Sequence, residues 1–223
     1  MKTILKLRNV SKEFIEPRKN IIALNKINFE MIEGQITALL GPSGSGKSTL
    51  LQIAGLLDKP TDGEVFINGE NCNKLSQEKK NLIRKNSIGF VYQNFHLLDS
   101  FSALENIIIP QLINGISYKL AKKTAVNLLS SLNLAKRLNN KPKELSGGEK
   151  QRVAILRAIA NMPKIILADE PTGNLDKKNS ESVIDIIKDL SKNFKISFLI
   201  ATHNLSLTKN FDKIVKLSEG KRV

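Results

Sequence analysis

The sequence contains very little cysteine and no long hydrophobic segment. Its single cysteine, Cys72, excludes an internal disulfide framework and is consistent with a reducing cytosol. No signal-peptide core is visible in the opening residues MKTILKLRNVSKEF, and no apolar run approaches the roughly 20 residues that span a bilayer. We therefore expect neither export nor membrane insertion. Any work at a membrane would require another protein to hold this chain there.

Acidic residues are scarce relative to basic ones. The chain has 35 Lys and Arg against 21 Asp and Glu, which gives a formal net charge of +14. Such an excess suits an acidic partner, whether a nucleotide, a nucleic acid or an anionic membrane surface. The positive residues are spread along the chain, so the charge is weak evidence for DNA binding, and we expect no nucleic-acid partner.

Strand-like and helix-like segments alternate over much of the 223 residues, a length that fits one domain or one core with a smaller subdomain. The runs ITALL, SIGFVYQ, KIILADE and ISFLIATH are predicted as strands, and STLLQIAGLL, KQRVAILRAIA and SESVIDIIKDLSKN as helices. TDGEVFINGE reads as a strand between turns at Asp62-Gly63 and Asn68-Gly69. The alternation predicts an α/β fold with a mostly parallel sheet and helices on both faces. Residues 95–145 are predicted to be mainly helical and to form an insertion into that core.

The segment GPSGSGKST, residues 41–49, lies between a predicted strand and a predicted helix. It matches the phosphate-loop pattern G-x-x-x-x-G-K-[ST], and this context is the one that supports the match. Gly44 and Gly46 allow several backbone N–H groups to point at one anion, and the helix N-terminus adds partial positive charge. Lys47 is predicted to reach the β- and γ-phosphates of a nucleotide, and the Ser48 hydroxyl to ligate Mg²⁺.

Acidic and polar residues follow the other predicted strands. Asp169 and Glu170 end KIILADE, where Asp169 is the candidate Mg²⁺ partner and Glu170 the group that polarises an attacking water. Gln93 ends SIGFVYQ, and His203 follows ISFLIAT; a glutamine can orient a water or a metal, and a histidine can donate to a phosphate oxygen. Taken alone, each is a common surface residue, and the solitary His96 is given no role. All four residues end strands at the carboxyl edge of the sheet, where ligands of α/β folds bind, and after a phosphate loop this position favours a functional role for Asp169 and Glu170.

The stretch LSGGEKQRVAI, residues 145–155, resembles a second phosphate site. Ser146, Gly147 and Gly148 open a predicted helix, but the Gly-Lys-Ser ending of the first loop is missing. Ser146 and Glu149 also form the S-x-x-E pattern of a capping box, which satisfies N–H groups at a helix start. Two interpretations are open: Ser146 caps its own helix, or this helix start is half of a site that another subunit completes.

Together these motifs resemble the nucleotide-binding subunit of ATP-binding cassette (ABC) transporters over essentially the whole chain. GPSGSGKST is similar to the Walker A loop, IILADE to the Walker B strand and LSGGE to the signature motif, in which Glu149 replaces the commoner Gln. Gln93, Asp176 and His203 match the Q-loop, D-loop and switch positions. The resemblance implies a P-loop NTPase (RecA-like) core with an antiparallel β subdomain and an inserted helical subdomain. The single domain, 1–223, would divide into a core of 1–94 and 149–223 and a helical part of about 95–148.

The resemblance also implies a set of site residues, with ATP and Mg²⁺ as cofactors. The expected ATP-binding residues are Phe14, whose ring would stack on adenine, and Gly41, Pro42, Ser43, Gly44, Ser45, Gly46, Lys47, Ser48 and Thr49. The expected catalytic residues are Lys47, Gln93, Glu170 and His203, and the expected Mg²⁺ ligands are Ser48, Gln93 and Asp169. Ser146, Gly147, Gly148, Glu149 and Asp176 are expected to contact ATP held by a partner subunit, which implies a homodimer.

The segments PTGNLD, SGGEKQRVAILRA and FHLLDSFSALENIIIPQLI resemble one branch of the family, which contains LolD, MacB and FtsE. This implies an ATPase that drives release of lipoproteins from the bacterial inner membrane toward the outer membrane. Two membrane subunits similar to LolC and LolE would contact residues from Gln93 to Asn106, with the chain peripheral on the cytoplasmic face. An FtsE-like regulator of cell division and a MacB-like exporter ATPase are the alternatives. A soluble DNA-acting ABC ATPase is disfavoured, because such proteins interrupt the cassette with long coiled coils or zinc-binding cysteines.

Overall fold

The computed structural model describes residues 2–15, 20–209 and 211–223 of the chain. The strands are β1 (Thr3–Ile15), β2 (Asn20–Ile32), β3 (Ile36–Leu40), β4 (Asp62–Ile67), β5 (Glu70–Asn71), β6 (Ile88–Tyr92), β7 (Ile165–Asp169), β8 (Ser197–Thr202), β9 (Lys213–Ser218) and β10 (Lys221–Arg222). The α-helices are α1 (Lys47–Ala54), α2 (Gln77–Ser87), α3 (Ala103–Ile113), α4 (Tyr118–Ser131), α5 (Gly147–Ile159) and α6 (Lys177–Phe194).

A mostly parallel sheet carries the strands that end in polar residues. Its order is β10-β9-β3-β8-β7-β6, and every neighbouring pair from β9 to β6 is parallel. All residues of β3 and β8 are buried, as expected for short apolar strands covered on both faces. The predicted α/β fold is confirmed, and β3, β6, β7 and β8 end at one edge.

An antiparallel sheet of order β2-β1-β4-β5 packs against α1 and one face of the parallel sheet. Alternate residues of β7 enter two hydrophobic clusters on opposite sides, since successive side chains of a strand point to opposite faces. Ile165 and Leu167 join the cluster with β1, β2 and α1. Ile166 and Ala168 join the other cluster, which also contains residues of α3, α4, α5 and α6. The antiparallel β subdomain is therefore confirmed.

The segment between β6 and α5 is mainly helical, as predicted. Helix α3 begins with a capping box, in which Ser102 Oγ accepts from the Glu105 N–H and the Glu105 carboxylate accepts from the Ser102 N–H. The two α-helices of this segment, α3 and α4, share one hydrophobic cluster with α5 and α6. The division at residues 95 and 148 stays a prediction. Among the residues that the structure describes, no helix has both the length and the apolar character that a bilayer crossing needs.

One predicted turn is wrong. Asp62 and Gly63 lie inside β4, where the pairing with β1 slips in register. Gly63 has a φ of +90°, and a Cβ there would lie 2.4 Å from the Asn9 carbonyl oxygen. The Asp-Gly pair therefore marks a bulge that only glycine fits. The turn at Asn68-Gly69 is confirmed, with φ values of +53° and +84°, as a type I′ hairpin turn requires.

Candidate functional site

A cavity of about 890 Å³ lies at the edge where β3, β6, β7 and β8 end. The predicted site residues that line it are Ser43, Gly44, Gly46, Lys47, Ser48, Thr49, Gln93, Asp169, Glu170 and His203. These residues come from four separate segments of the sequence. The structure therefore brings the phosphate loop and the three polar strand ends together around one space.

The phosphate loop holds its lysine through two of its own carbonyl groups. Lys47 Nζ donates to Gly41 O at 2.8 Å and to Pro42 O at 2.9 Å, and the residue is 8% exposed. Gly46 has a φ of +97°, and a Cβ there would lie 2.3 Å from the Ala23 carbonyl oxygen of β2. The loop thus packs tightly against β2 and needs glycine at this position. Helix α1 begins at Lys47, so its first turn lines the cavity with N–H groups and the positive end of the helix dipole.

Glu170 combines a strained backbone with a fixed side chain. Its φ of +46° is in the left-handed region, which costs a non-glycine residue about 1 kcal/mol. The conformation is held because the Glu170 N–H donates to Ala201 O at 2.9 Å and Glu170 O accepts from the Gly173 N–H at 3.0 Å. Glu170 Oε1 lies 2.8 Å from His203 Nδ1, and the carboxylate is 15% exposed. The chain therefore places the predicted base and the predicted histidine in direct contact.

Asp169 and Gln93 end neighbouring parallel strands. Tyr92, the last residue of β6, is in register with Asp169, the last residue of β7, so Gln93 follows β6 at the edge where β7 ends. Both line the cavity with Ser48 of α1. Gln93 Nε2 also donates to Asn174 Oδ1 at 3.3 Å. The Ser48 hydroxyl, the Asp169 carboxylate and the Gln93 amide thus belong to side chains that line the same cavity.

The signature stretch forms a capping box at the start of α5. Ser146 Oγ accepts from the Glu149 N–H at 3.3 Å, and Glu149 Oε2 accepts from the Ser146 N–H at 2.8 Å. Glu149 Oε1 also accepts from Arg137 Nε at 2.8 Å. The capping interpretation of Ser146 is thus confirmed for the chain by itself. The glutamate found in place of glutamine ties α5 to an arginine of the helical segment.

We expect Glu149→Ala to lower the free energy of unfolding by about 1 kcal/mol at pH 7, because it removes half of the capping box and an ion pair. The backbone hydrogen bond from Ser146, supported by Arg137, holds the pKa of Glu149 below its ordinary 4.5. A lowered folded-state pKa stabilises above the unfolded value, and this stabilisation is lost as the pH falls through the folded value. Urea unfolding at a series of pH values should therefore show a full difference at pH 7 that shrinks below pH 4.5.

The matched control is Glu181→Ala, at an exposed position on α6. It should change the free energy of unfolding by less than about 0.5 kcal/mol at either pH. A Glu149→Ala effect that stays constant down to pH 3 would contradict the assignment of this stability to the Glu149 carboxylate.

The signature and D-loop residues form a separate surface. Asp176 caps α6, accepting from the Asn179 N–H at 2.8 Å, and this contact lowers the pKa of Asp176. A Cβ at Gly148 would lie 2.3 Å from Asn179 Oδ1, so the starts of α5 and α6 lie side by side. Ser146, Gly147 and Asp176 are exposed. Within the described part of the chain, the cavity lining contains none of the five residues expected to act on a partner's ATP.

Phe14 lies beside the cavity and not in its described lining. Its ring is 5.0 Å from Lys12 Nζ, and it pairs across the strands with Ile21, which does line the cavity. Its predicted stacking on adenine stays a prediction. The further lining residues that the sequence analysis did not identify are Ile21, Ile22, Ala23, Tyr92, Asn94 and His96. His96 stacks on Tyr92 at 4.6 Å between ring centroids.

The sequence profile described as ABC transporter matches residues 24–173, about two thirds of the chain. That range contains the phosphate loop, the strand β7 and the start of α5, in the geometry given above. The chain belongs to the ABC transporter family. It has the ATP-binding domain of that family, and the ABC transporter resemblance seen in the sequence is confirmed.

Curated ABC transporter relatives match over nearly the full length. The chain is 50% identical over 219 residues to the lipoprotein-releasing system ATP-binding protein LolD 1 of Rhodospirillum rubrum, covering 98% of this chain and 97% of that protein. It is 49% identical over 217 residues to LolD of Rickettsia bellii, covering 97% and 96%. Similarity of this extent applies to the whole cassette and not only to its motifs.

Solved ABC transporter cassettes have the same fold. A dimeric post-hydrolysis structure of the ATP-binding cassette MJ0796 bound to ADP and Pi is 39% identical, covers 98% of this chain and 96% of its own, and has a TM-score of 0.91. CbiO1 of Clostridium perfringens is 26% identical, covers 100% of this chain and 88% of its own, and has a TM-score of 0.88. The predicted fold class is confirmed by this agreement.

Proposed function

We propose that this chain is the ATP-hydrolysing subunit of a bacterial ABC transporter that releases lipoproteins from the inner membrane. The observation that carries the proposal is the set of LolD relatives, 46% to 50% identical over at least 96% of both chains. The fold and the cavity supply the ATPase part of the proposal. The relatives are named as lipoprotein-releasing proteins, which supports lipoproteins as the cargo and favours LolD over the FtsE-like and MacB-like alternatives.

The cavity is built to bind the phosphates of a nucleotide. Backbone N–H groups of residues 41–49 and the start of α1 would cradle the β- and γ-phosphates, with Lys47 as the neutralising cation. In this process the lysine would exchange its contacts with Gly41 O and Pro42 O for phosphate oxygens. Ile21 and Ile22 give the cavity an apolar wall near Phe14, where an adenine would rest.

The oxygen donors in the cavity suit a divalent cation. Ser48 Oγ, the Asp169 carboxylate and the Gln93 amide are hard oxygen donors from one lining, the type that Mg²⁺ prefers. These residues would hold the ion together with phosphate oxygens. When bound, Mg²⁺ would neutralise the charge that develops on the β- and γ-phosphates.

Glu170 and His203 are proposed to carry out the reaction. The Glu170 carboxylate would accept a proton from the attacking water, and His203 would donate a hydrogen bond to the γ-phosphate. Their 2.8 Å contact, together with the hydrogen bonds of the Glu170 backbone, fixes the direction of the carboxylate. Catalysis would come mainly from such positioning and from charge neutralisation by Lys47.

A second copy of the chain is proposed to complete the site. The exposed start of α5 presents Ser146 and Gly147 outward, away from the cavity lining of its own chain. A helix N-terminus favours an anion, so this surface suits a γ-phosphate bound in a partner's cavity. Two of the similar structures are dimeric cassettes. In such a dimer Ser146 Oγ would leave its cap for the phosphate.

The membrane partners are proposed to be two subunits resembling LolC and LolE, contacted through residues from Gln93 to Asn106. Leu98 and Phe101 in this segment are 43% and 41% exposed, which provides apolar area for a partner. The chain would then work as a peripheral protein on the cytoplasmic face of the inner membrane.

Co-purification tests the transporter assignment. A tagged chain, extracted with mild detergent from its own cells, should bring down two membrane subunits with four spans and a large external domain each. Purified complex in liposomes should release a loaded lipoprotein only with hydrolysable ATP. Recovery of a fused macrolide exporter or of a cell-division partner would contradict the lipoprotein assignment, and salt-sensitive DNA binding would favour the DNA-acting class.

A further inference from the structure

The loop that follows Glu170 contacts the end of β6 through a single side chain. Asn174 Nδ2 donates to Gln93 O at 3.0 Å and to Asn94 Oδ1 at 3.0 Å. In the opposite direction, Gln93 Nε2 donates to Asn174 Oδ1 at 3.3 Å. One amide thus bonds to both the backbone and the side chain of Gln93.

Gly173, the residue before Asn174, leaves just enough room for the Gln93 side chain to make these hydrogen bonds. A Cβ built on Gly173 would lie 2.8 Å from Gln93 Nε2, 3.1 Å from its Cδ and 3.3 Å from its Cγ. All of the nearest atoms belong to one side chain, that of Gln93. An alanine at position 173 would therefore displace the Gln93 amide without pressing on any backbone atom in that set.

The backbone after Gln93 is fixed by a different residue. Arg157 of α5 donates to Phe95 O at 2.9 Å and to His96 O. Phe95 and His96 both have left-handed backbones, with φ values of +58° and +47°, which the half-buried Arg157 guanidinium can stabilise through their carbonyl groups. Since Arg157 fixes the backbone beyond Gln93, the direction of the Gln93 side chain depends on its own local contacts.

The contact with Asn174 decides which atom of the amide enters the cavity. A side-chain amide has one donor end and one acceptor end. With Nε2 bonded to Asn174 Oδ1, the acceptor Oε1 is the end left for a cation or a water in the cavity that Asp169 and Glu170 also line. Among the described residues, Asn174 is the hydrogen-bond partner of the Gln93 side-chain amide, so its loss would leave the amide free to rotate its donor end inward.

We propose that Asn174 is a positioning residue for Gln93, and that Gly173 keeps the space in which the Gln93 amide is held. The inference rests on the proposed ATPase function, because Gln93 is expected to act on the nucleotide. It also gives the loop after β7 a second role. The loop that carries the base Glu170 and the interface residue Asp176 also orients the glutamine that follows β6.

A double-mutant cycle on the full-length chain tests the proposal. Asn174→Ala and Gly173→Ala should each lower kcat for ATP hydrolysis about 10-fold, with KM for ATP changed less than about twofold. Combined with Gln93→Ala, each should lower kcat by less than about twofold further, because the side chain through which it acts is gone. Asn139→Ala, at an exposed position in the helical segment, is the control and should match the wild type.

A second readout does not depend on activity. The NMR signal of the Gln93 side-chain amide, identified by its loss in Gln93→Ala, should shift in Asn174→Ala and in Gly173→Ala but not in Asn139→Ala. An unmoved signal, or equal effects on kcat with and without Gln93, would overturn the positioning role. A wild-type chain without ATPase activity would instead contradict the proposed function, and the amide signal would still decide the role of Asn174.

Discussion

The Glu170→Gln variant should bind ATP as tightly as the wild type and hydrolyse it about 10²- to 10⁴-fold more slowly, the range expected for loss of a general base. A glutamine has the same length and shape as glutamate and can still form hydrogen bonds, but its amide cannot accept a proton from water. The left-handed backbone at position 170 is held by Ala201 and Gly173, and these contacts do not involve the side chain. The fold of the site should therefore be unchanged.

Two measurements check this expectation. Phosphate release gives the rate, and calorimetric titration gives the affinity for ATP. Glu181→Gln on α6 is the matched control and should hydrolyse ATP at the wild-type rate. Removing the carboxylate also removes a negative charge next to the γ-phosphate, so Glu170→Gln should accumulate an ATP-bound dimer in sedimentation experiments. Unchanged turnover would contradict the assignment of Glu170 as the base.

Lys47→Ala should lower ATP affinity at least about 30-fold, because it removes the buried lysine that would neutralise the phosphates. The same change leaves Gly41 O and Pro42 O without their donor, so the variant should also lose stability. Lys47→Met keeps most of the buried stem and separates the loss of charge from the loss of packing.

Calorimetric titration and thermal unfolding should be run on both Lys47 variants. Lys47→Met should stay folded, with a smaller loss of stability than Lys47→Ala, and still lose ATP affinity. Lys122→Ala, at an exposed lysine of α4, is the matched control and should keep both properties. Near-wild-type ATP affinity in a folded Lys47→Met variant would exclude Lys47 from the site.

The centre of the fold and the cavity could be predicted because their signals are local. β3 and β7 are short apolar runs, β7 ends at Asp169, and β3 leads directly into the phosphate loop, which has a fixed pattern between a strand and a helix. Since carboxyl ends of parallel strands meet, Lys47, Asp169 and His203 could be expected in one place. The structure places them there.

The strand β2 and the helix α2 lack the regular spacing of buried apolar residues from which an element can be predicted. In β2 the buried residues Leu24, Ile27 and Phe29 break strict alternation, because the pairing with β1 contains bulges and Lys26 has a φ of +48°. Helix α2 has no buried residue: Ile83 packs only partly buried against the core and Leu82 is exposed, so the helix has no wide apolar stripe. Without β2, the contribution of Ile21 to the cavity wall was not visible.

The contact between Gln93 and Asn174 could not be predicted for a different reason. The two residues are 81 positions apart, and neither the segment around Gln93 nor the segment PTGNLD around Asn174 indicates that they meet. Their meeting depends on the adjacency of β6 and β7 and on the turn that Glu170 makes after β7. The two interpretations of Ser146 also needed the structure, which shows the cap and leaves the residue exposed for a partner.

Two copies of the chain are proposed to share each ATP site, and mixing two inactive variants tests this sharing most directly. Lys47→Ala lacks the phosphate-loop cation, and Ser146→Arg blocks the signature surface. A mixed dimer would have one complete site, formed by Lys47 of one copy and Ser146 of the other. An equal mixture should therefore recover up to about a quarter of the wild-type ATPase rate, since half the dimers are mixed and half their sites are complete. A mixture no more active than the two separate variants would contradict a shared site.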